Sequence, residues 1–209
     1  MLMARLSRRL VIAAAMLATL AACNKSGGAV GAPGPDDMTM GNPQAKVLVA
    51  EYASVACPHC AAFNNDVFPA FKAKYIDTGK VHYVLHEMLV GGQAEQALAA
   101  AGFLLARCAG KDKYFAVTDE IFHAQQQIFT SGDLRGGLWR IGQSLGMTEA
   151  QFNSCIGDQT QLKALNARVE AAGKDGIDST PTFIVNGQKL VGEQTLAQLD
   201  KAIADAEKK

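Results

Sequence analysis

Two cysteines three residues apart, Cys57 and Cys60, carry the most specific chemistry in this sequence. They stand in Cys57-Pro58-His59-Cys60, after the apolar run Val47-Leu48-Val49-Ala50-Glu51-Tyr52 and at the head of a helical pattern that opens at Pro58. At that spacing the pair can close into a small disulfide. A helix start leaves N–H groups without intrahelical partners, and these donors together with the macrodipole favour an anion. A thiolate is such an anion. Pro58 suits the first helical position, where a missing N–H is no loss and a preset φ helps. The arrangement points to thiol–disulfide exchange, with Cys57 as the exposed nucleophile and Cys60, one turn in, as the more buried resolving thiol. A stabilised Cys57 thiolate favours the reduced pair and is a good leaving group, so the disulfide is readily given away.

Other readings of the same residues are weaker. Structural zinc wants four ligands, and no second close Cys or His pair accompanies Cys57 and Cys60. His82 and His86 alternate with Val81, Tyr83 and Leu85, which is a strand pattern, so no metal site is expected. A purely structural 57–60 bridge would restrain little chain. Glu51 is a carboxylate in an apolar strand, on the face of Val47 and Val49. It is either a strand-end charge reaching water or a buried acid, and burial would raise its pKa.

The elements that must position these residues follow from periodicity. Lys46 to Ala53 reads as a central strand, apolar on both faces. The helix from Pro58 carries Phe63, Val67, Phe71 and Tyr75 at four-residue spacing, is kinked at Pro69 and ends at Gly79. Lys80 to Met88 alternates as a second strand, so a βαβ unit with parallel strands is expected. From Gly91 to about Gly173 the pattern is all helical, with helices from about 94 to 108, from 111, and at 133–145, 149–157 and 159–173. Thr148-Glu149-Ala150-Gln151 has capping-box order, and Trp139 reads as core. Thr182 to Val185 and Lys189 to Val191 flank Asn186-Gly187, a strong hairpin signal. A second capping-box order, Thr195 to Gln198, opens a final helix. The fold class is therefore α/β. Residues 39–90 and 174–209 form one domain and 91–173 an inserted helical domain.

The first residues differ in kind. Arg5, Arg8 and Arg9 precede the apolar stretch Leu10 to Leu20, so 1–22 reads as an export signal, too short to span a bilayer comfortably. It ends Leu20-Ala21-Ala22-Cys23, which resembles the bacterial lipoprotein processing signal, with Cys23 as the lipidated residue. Residues 23–38, rich in Gly and Pro, read as a flexible tether; about 14 residues of coil would span roughly 20 Å. Of the 20 basic residues three precede Cys23, leaving 17 against 20 acidic, a net charge of −3. No basic stripe supports nucleic-acid binding. Outside the cytoplasm disulfides persist. With Cys57 paired to Cys60, the remaining cysteines Cys108 and Cys155 are expected to form a structural disulfide.

Together, Cys57-Pro58-His59-Cys60 after a strand, a helical insertion, and Thr180-Pro181-Thr182-Phe183 before a hairpin and terminal helix resemble the DsbA-like branch of the thioredoxin superfamily, over about residues 40–207. The resemblance implies a thioredoxin fold with an inserted helical domain. It implies a cis-proline at Pro181 facing the active pair, with Thr180 offering backbone hydrogen bonds to substrate, and a central dipeptide, Pro58-His59, that tunes redox potential. Glu51, six residues before Cys57, matches the buried acid of that family, which is thought to move the proton of the buried thiol. Thr180 departs from the Val common in such oxidases, and Thr is commoner among isomerases.

The expected function is a thiol:disulfide oxidoreductase that transfers a disulfide from Cys57–Cys60 to exported proteins, with no cofactor beyond that pair. Its expected partners are reduced exported proteins and a membrane redox partner. It is expected to be a monomer, facing the periplasm on a lipid anchor. An isomerase or reductase is the nearest alternative, although superfamily isomerases usually bring a dimerisation domain and residues 24–39 are too short for one. A non-catalytic chaperone-like lipoprotein is the other.

Overall fold

A computed structural model describes residues 29–208. The export signal 1–22 and Cys23 lie outside the described residues. Strands β1 (Met38–Gly41), β2 (Val47–Ala53), β3 (Val81–Glu87), β4 (Thr182–Val185) and β5 (Gln188–Val191) form one sheet in the order β1-β3-β2-β4-β5. Only β2 and β3 run parallel, as the βαβ pattern requires; the other pairs are antiparallel. β1 is an addition to the expected strands. It is four residues long with one buried side chain, Met38, and exists by pairing with β3, which no local pattern reveals.

Between β2 and β3 runs a bent helical rod. Its α-helical pieces are α1 (Pro58–Ala62) and α2 (Phe68–Phe71), each followed by a π-helical turn, Phe63–Val67 and Lys72–Ile76. Pro69 has no N–H for the regular ladder, and a wider turn just before it absorbs the mismatch. The hairpin between β4 and β5 turns at Asn186 (φ 43°) and Gly187 (φ 88°), both positive as a two-residue hairpin loop of this kind demands. Asn186 also pins the turn to β2: Leu48 N donates to Asn186 Oδ1 at 2.8 Å, and Asn186 Nδ2 to Lys46 O at 3.1 Å.

The insert comprises α3 (Gln93–Cys108), α4 (Lys111–Ser131), α5 (Leu134–Ser144), α6 (Glu149–Ile156) and α7 (Gln159–Lys174); α8 (Leu196–Glu207) closes the fold. Capping boxes are present at Thr148 and Thr195. Cys108 and Cys155 are bonded, joining the end of α3 to α6 with their Cα atoms 5.7 Å apart. Trp139 is half-buried, against Phe152 at 5.2 Å, because α5 lies at the edge of the insert. No helix among the described residues is long and apolar enough to cross a membrane.

One continuous core joins the α1 and α8 face of the sheet to the insert, through Phe63, Phe71, Tyr83, Phe183, Phe103 and Ile121. The other face, with Ala50, Tyr52, Val84 and Ile184, is covered by Ala172 and Ile177. The N-terminal segment covers it too. A Cβ on Gly31 (φ +86°) would meet the Cβ atoms of Ala50 and Ile184 at 3.0 Å, so only glycine lets the chain lie this close. Further along, Asp37 Oδ2 approaches His86 Nδ1 at 3.5 Å, and His86 stacks on Tyr52 at 4.5 Å. The tether expected over 23–38 thus touches the sheet at Gly31 and Asp37, with residues 33–36 exposed between them.

Sheet and insert are locked by Glu87 at the end of β3. Its fully buried carboxylate accepts Arg107 Nε at 2.6 Å, Arg168 Nε at 3.0 Å and the Tyr114 hydroxyl at 2.9 Å.

Candidate active site

After β2 the chain turns through Ser54, Val55 and Ala56, all buried, before Cys57 caps α1. Cys57 N donates to Ser54 O at 3.0 Å and Ala56 N to Ser54 Oγ at 3.3 Å, so the turn is tied from within. Cys57 is extended (φ −85°, ψ 124°) and Pro58 takes the first helical position. Gly102 of α3 supports the turn: a Cβ there would meet Val55 Cγ2 at 3.1 Å.

Cys60 is completely buried, and Cys57 is only 8 % exposed rather than the open nucleophile expected. The reason is the loop opposite. The Thr180-Pro181 peptide is cis, and Cys57 Sγ lies 3.4 Å from Thr180 O. Both cysteines are free thiols here. When protonated, the Cys57 S–H donates to that carbonyl. The Thr180 hydroxyl is buried without a partner, a spare donor for a thiolate.

The two thiols are driven in opposite directions. The Cys60 thiol, donating to Cys57 Sγ, is the largest cause that holds Cys57 down to about 5; the Thr180 side chain and the backbone N–H groups of Cys60 and His59 add to it, against burial. Burial pushes Cys60 well above the ordinary thiol range, and the charges of Cys57 and Glu51 add to that. Glu51 is 3 % exposed and burial raises its carboxyl to about 7. The Tyr83 hydroxyl donates to Glu51 Oε2 at 2.6 Å and partly offsets that rise. A cavity of about 340 Å³, walled by Phe68, Tyr83, Leu85, Phe115 and Phe122 between the bent rod and α4, reaches Glu51.

Of the residues expected from sequence, Cys57, Pro58, Cys60, Thr180 and Pro181 come together, with Glu51 on the strand behind them. His59 sits at the rim, exposed, with Nδ1 3.4 Å from Glu193 Oε2; its gift to Cys57 is its backbone N–H. Cys108 and Cys155 stand apart from this group, inside the insert.

Sequence reasoning missed Tyr83 and Gln125. Tyr83 meets Glu51 only through the β2–β3 register, which pairs Val49 with Tyr83 and Glu51 with Leu85. Gln125 left a trace. It falls four residues after Ile121 and three before Ile128, a polar side chain on an apolar stripe, and it is buried. Its Nε2 donates to Val55 O at 2.8 Å and to Cys57 O at 3.1 Å. Among the described residues no three Cys, His, Asp or Glu gather as a metal site.

Known proteins resemble this chain in sequence and fold. The profile of the family described as Thioredoxin matches residues 34–205. A "Putative protein-disulfide oxidoreductase" of Rickettsia bellii is 35% identical over 179 residues, covering 83% of this chain and 67% of that relative. A second, from Rickettsia typhi, is 34% identical over 178 residues, covering 83% and 64%. The chain thus spans about two thirds of the length of these curated relatives. Among solved structures, alpha-DsbA1 of Wolbachia pipientis superposes with a TM-score of 0.73 at 29% identity, covering 84% of this chain and 94% of that one.

Proposed function

This chain belongs to the thioredoxin superfamily, in its DsbA-like branch, and on that footing we propose that it is a thiol:disulfide oxidase that gives the Cys57–Cys60 disulfide to exported proteins. The observation that carries the direction is the opposed setting of the two thiols. A reduced pair with Cys57 as a stabilised thiolate and Cys60 as a protonated thiol is favoured over the disulfide, so electrons flow in from the substrate.

The reaction balances on the residues present. A substrate thiolate attacks Cys57 Sγ, and the bond to Cys60 breaks. Cys60 leaves with the electron pair and takes a proton, for which the Glu51 carboxyl, near 7 and open to the cavity, is the nearby donor. A second substrate thiolate attacks the substrate sulfur of the mixed disulfide. Cys57 then leaves as a thiolate that needs no proton at neutral pH. The substrate has lost two electrons and the cysteine pair has gained them; the pair is itself the redox group. A membrane partner that takes the two electrons back would complete the cycle.

Placement is part of the same proposal: a monomer facing the periplasm, held by lipid on Cys23. The composition of residues 1–23 supports it. An acylated Cys23 in the mass of the mature N-terminal peptide is the expected finding, and an unmodified one removes the anchor.

Thr180 favours a second reading, isomerase or reductase, because its hydroxyl gives a mixed disulfide a further partner beside Pro181. Equilibration against glutathione buffers decides. The oxidase reading expects the reduced pair to persist in buffers that leave a thioredoxin-like couple oxidised, and a strongly reducing couple would make the protein a reductase. Replacing Cys57 by Ala should abolish oxidation of a reduced dithiol peptide; retained activity rejects exchange at this site.

A further inference from the structure

Gln125 belongs to α4 of the insert, yet it ends in the active-site turn of the other domain. Both hydrogens of its Nε2 are used there, on Val55 O at 2.8 Å and Cys57 O at 3.1 Å. Among the described residues it is the only insert side chain that hydrogen-bonds residues 54–60. We propose that Gln125 is a positioning residue through which the helical insert sets the oxidising strength of the Cys57–Cys60 pair. This rests on the exchange reading and goes beyond it, since it gives the insert a part in the chemistry.

The physical reason lies in the carbonyls it holds. Val55 and Cys57 are buried, so their carbonyl oxygens have no water to turn to. The Cys57 carbonyl already accepts the first helical N–H, from Ala61 at 3.1 Å, and has a second lone pair to fill. Without Gln125 the Val55 oxygen would be unpaired and the Cys57 oxygen would keep only the Ala61 N–H, leaving uncompensated partial negative charge beside the thiolate. The Gln125 amide neutralises the carbonyl ends and fixes the Val55–Ala56 and Cys57–Pro58 peptide planes. The N–H groups of His59 and Cys60 are thereby kept for the sulfur. Gln125 touches no reacting atom and acts through Cys57.

The test uses the full mature chain with Gln125→Met, which keeps length and loses the donor, and Gln125→Glu, which replaces the donor by an acceptor. Gln125→Lys retains a donor, and Gln126→Met, at an exposed neighbouring position, is the control. Two quantities are read: the Cys57 thiolate titration by ultraviolet absorbance, and the equilibrium constant against glutathione. In Gln125→Met the titration should move upward and disulfide donation should weaken by roughly threefold to tenfold, since one unit of thiol pKa is a factor of ten. Gln125→Glu should move further the same way, while Gln125→Lys and Gln126→Met should not move upward. A purely structural Gln125 would lower the stability of oxidised and reduced protein equally and leave both quantities at wild type, and that result overturns the proposal. Should Gln125→Met fail to fold, the contrast between Glu and Lys decides, and equal shifts in the two overturn the proposal as well. Exchange that survives Cys57→Ala would instead remove the reading beneath it.

Discussion

One helical turn separates Cys57 from Cys60, and what surrounds each decides its chemistry. Cys57 has the Cys60 thiol and the backbone N–H groups of Cys60 and His59 to hold its charge; Cys60 has burial and two negative neighbours. Glu51 shares the buried side, and its cost to the fold can be read with pH. Its folded value near 7 lies above the ordinary 4.5. The stability it allows is therefore fully present below about 4.5 and is lost as pH rises through about 7. Glu51→Gln removes that loss. The variant should gain on wild type between those limits and end about 1–3 kcal/mol more stable above pH 7. Urea unfolding at pH 4.5 and pH 8 measures this, and an equal difference at the two pH values would reject a buried, late-titrating Glu51. Exchange should slow by about tenfold or more, as for loss of a positioned proton donor. Tyr83→Phe acts from the partner's side. Without the hydroxyl at 2.6 Å the carboxylate loses its donor, so the Glu51 midpoint should climb above 7, as carbon NMR of the carboxyl would show.

Between elements, polar anchors hold what apolar packing only brings together. Glu87 ties β3 to α3, α4 and α7 through Arg107, Tyr114 and Arg168, all in one buried knot. Glu87→Ala would leave two half-buried guanidinium groups without their counter-charge, and should cost about 3–5 kcal/mol in unfolding free energy. A loss under 1 kcal/mol, roughly that of an exposed pair, would mean the knot is solvated. Elements with local signatures were legible in the sequence: Asn186-Gly187 marked its hairpin, and Thr148 and Thr195 marked their helix starts. The elements that escaped depend on distant partners. β1 needs β3, and Glu87 looks like any alternating strand residue until Arg107 and Arg168 arrive from the insert. The π-helical turns around Pro69 were visible only as a kink, because proline announces a break in the ladder and not how the chain absorbs it. Cys108 and Cys155 were pairable by count, and the bond closes 47 residues across α3 to α6. Replacing both by Ser should cost up to about 4 kcal/mol in the chain-entropy picture, and unchanged unfolding in denaturant would mean that packing alone holds the two helices.

At the scale of the whole molecule, the active pair and the stability of the fold are one thermodynamic system. Gln125 of the helical insert reaches the 54–60 turn, so its sulfur chemistry is felt through a core that runs unbroken from the sheet to the insert. This closure was not legible in sequence. The motifs named Cys57, Cys60, Thr180 and Pro181, but the Gln125 and Tyr83 contacts depend on how the insert packs on the sheet and on strand register. The consequence is a redox-dependent stability with a defined sign. In the reduced protein Cys57 titrates near 5 when folded, against the ordinary thiol value of 9.0 when unfolded. That depressed value stabilises the reduced fold; the effect is fully present above about 9 and is lost as pH falls through about 5. The oxidised protein has no Cys57 thiol to titrate, and what its disulfide gains from restraining the unfolded chain does not depend on pH. The gap between reduced and oxidised unfolding free energies should therefore move against the reduced form by about 3 kcal/mol on going from pH 7 to pH 4. Glu51 titrates in both forms and largely cancels in the difference. Denaturant unfolding of both forms at the two pH values measures the gap. A gap that does not move would show that the thiolate is not held by the fold, and with it the reason for electrons to flow toward Cys57 would be gone.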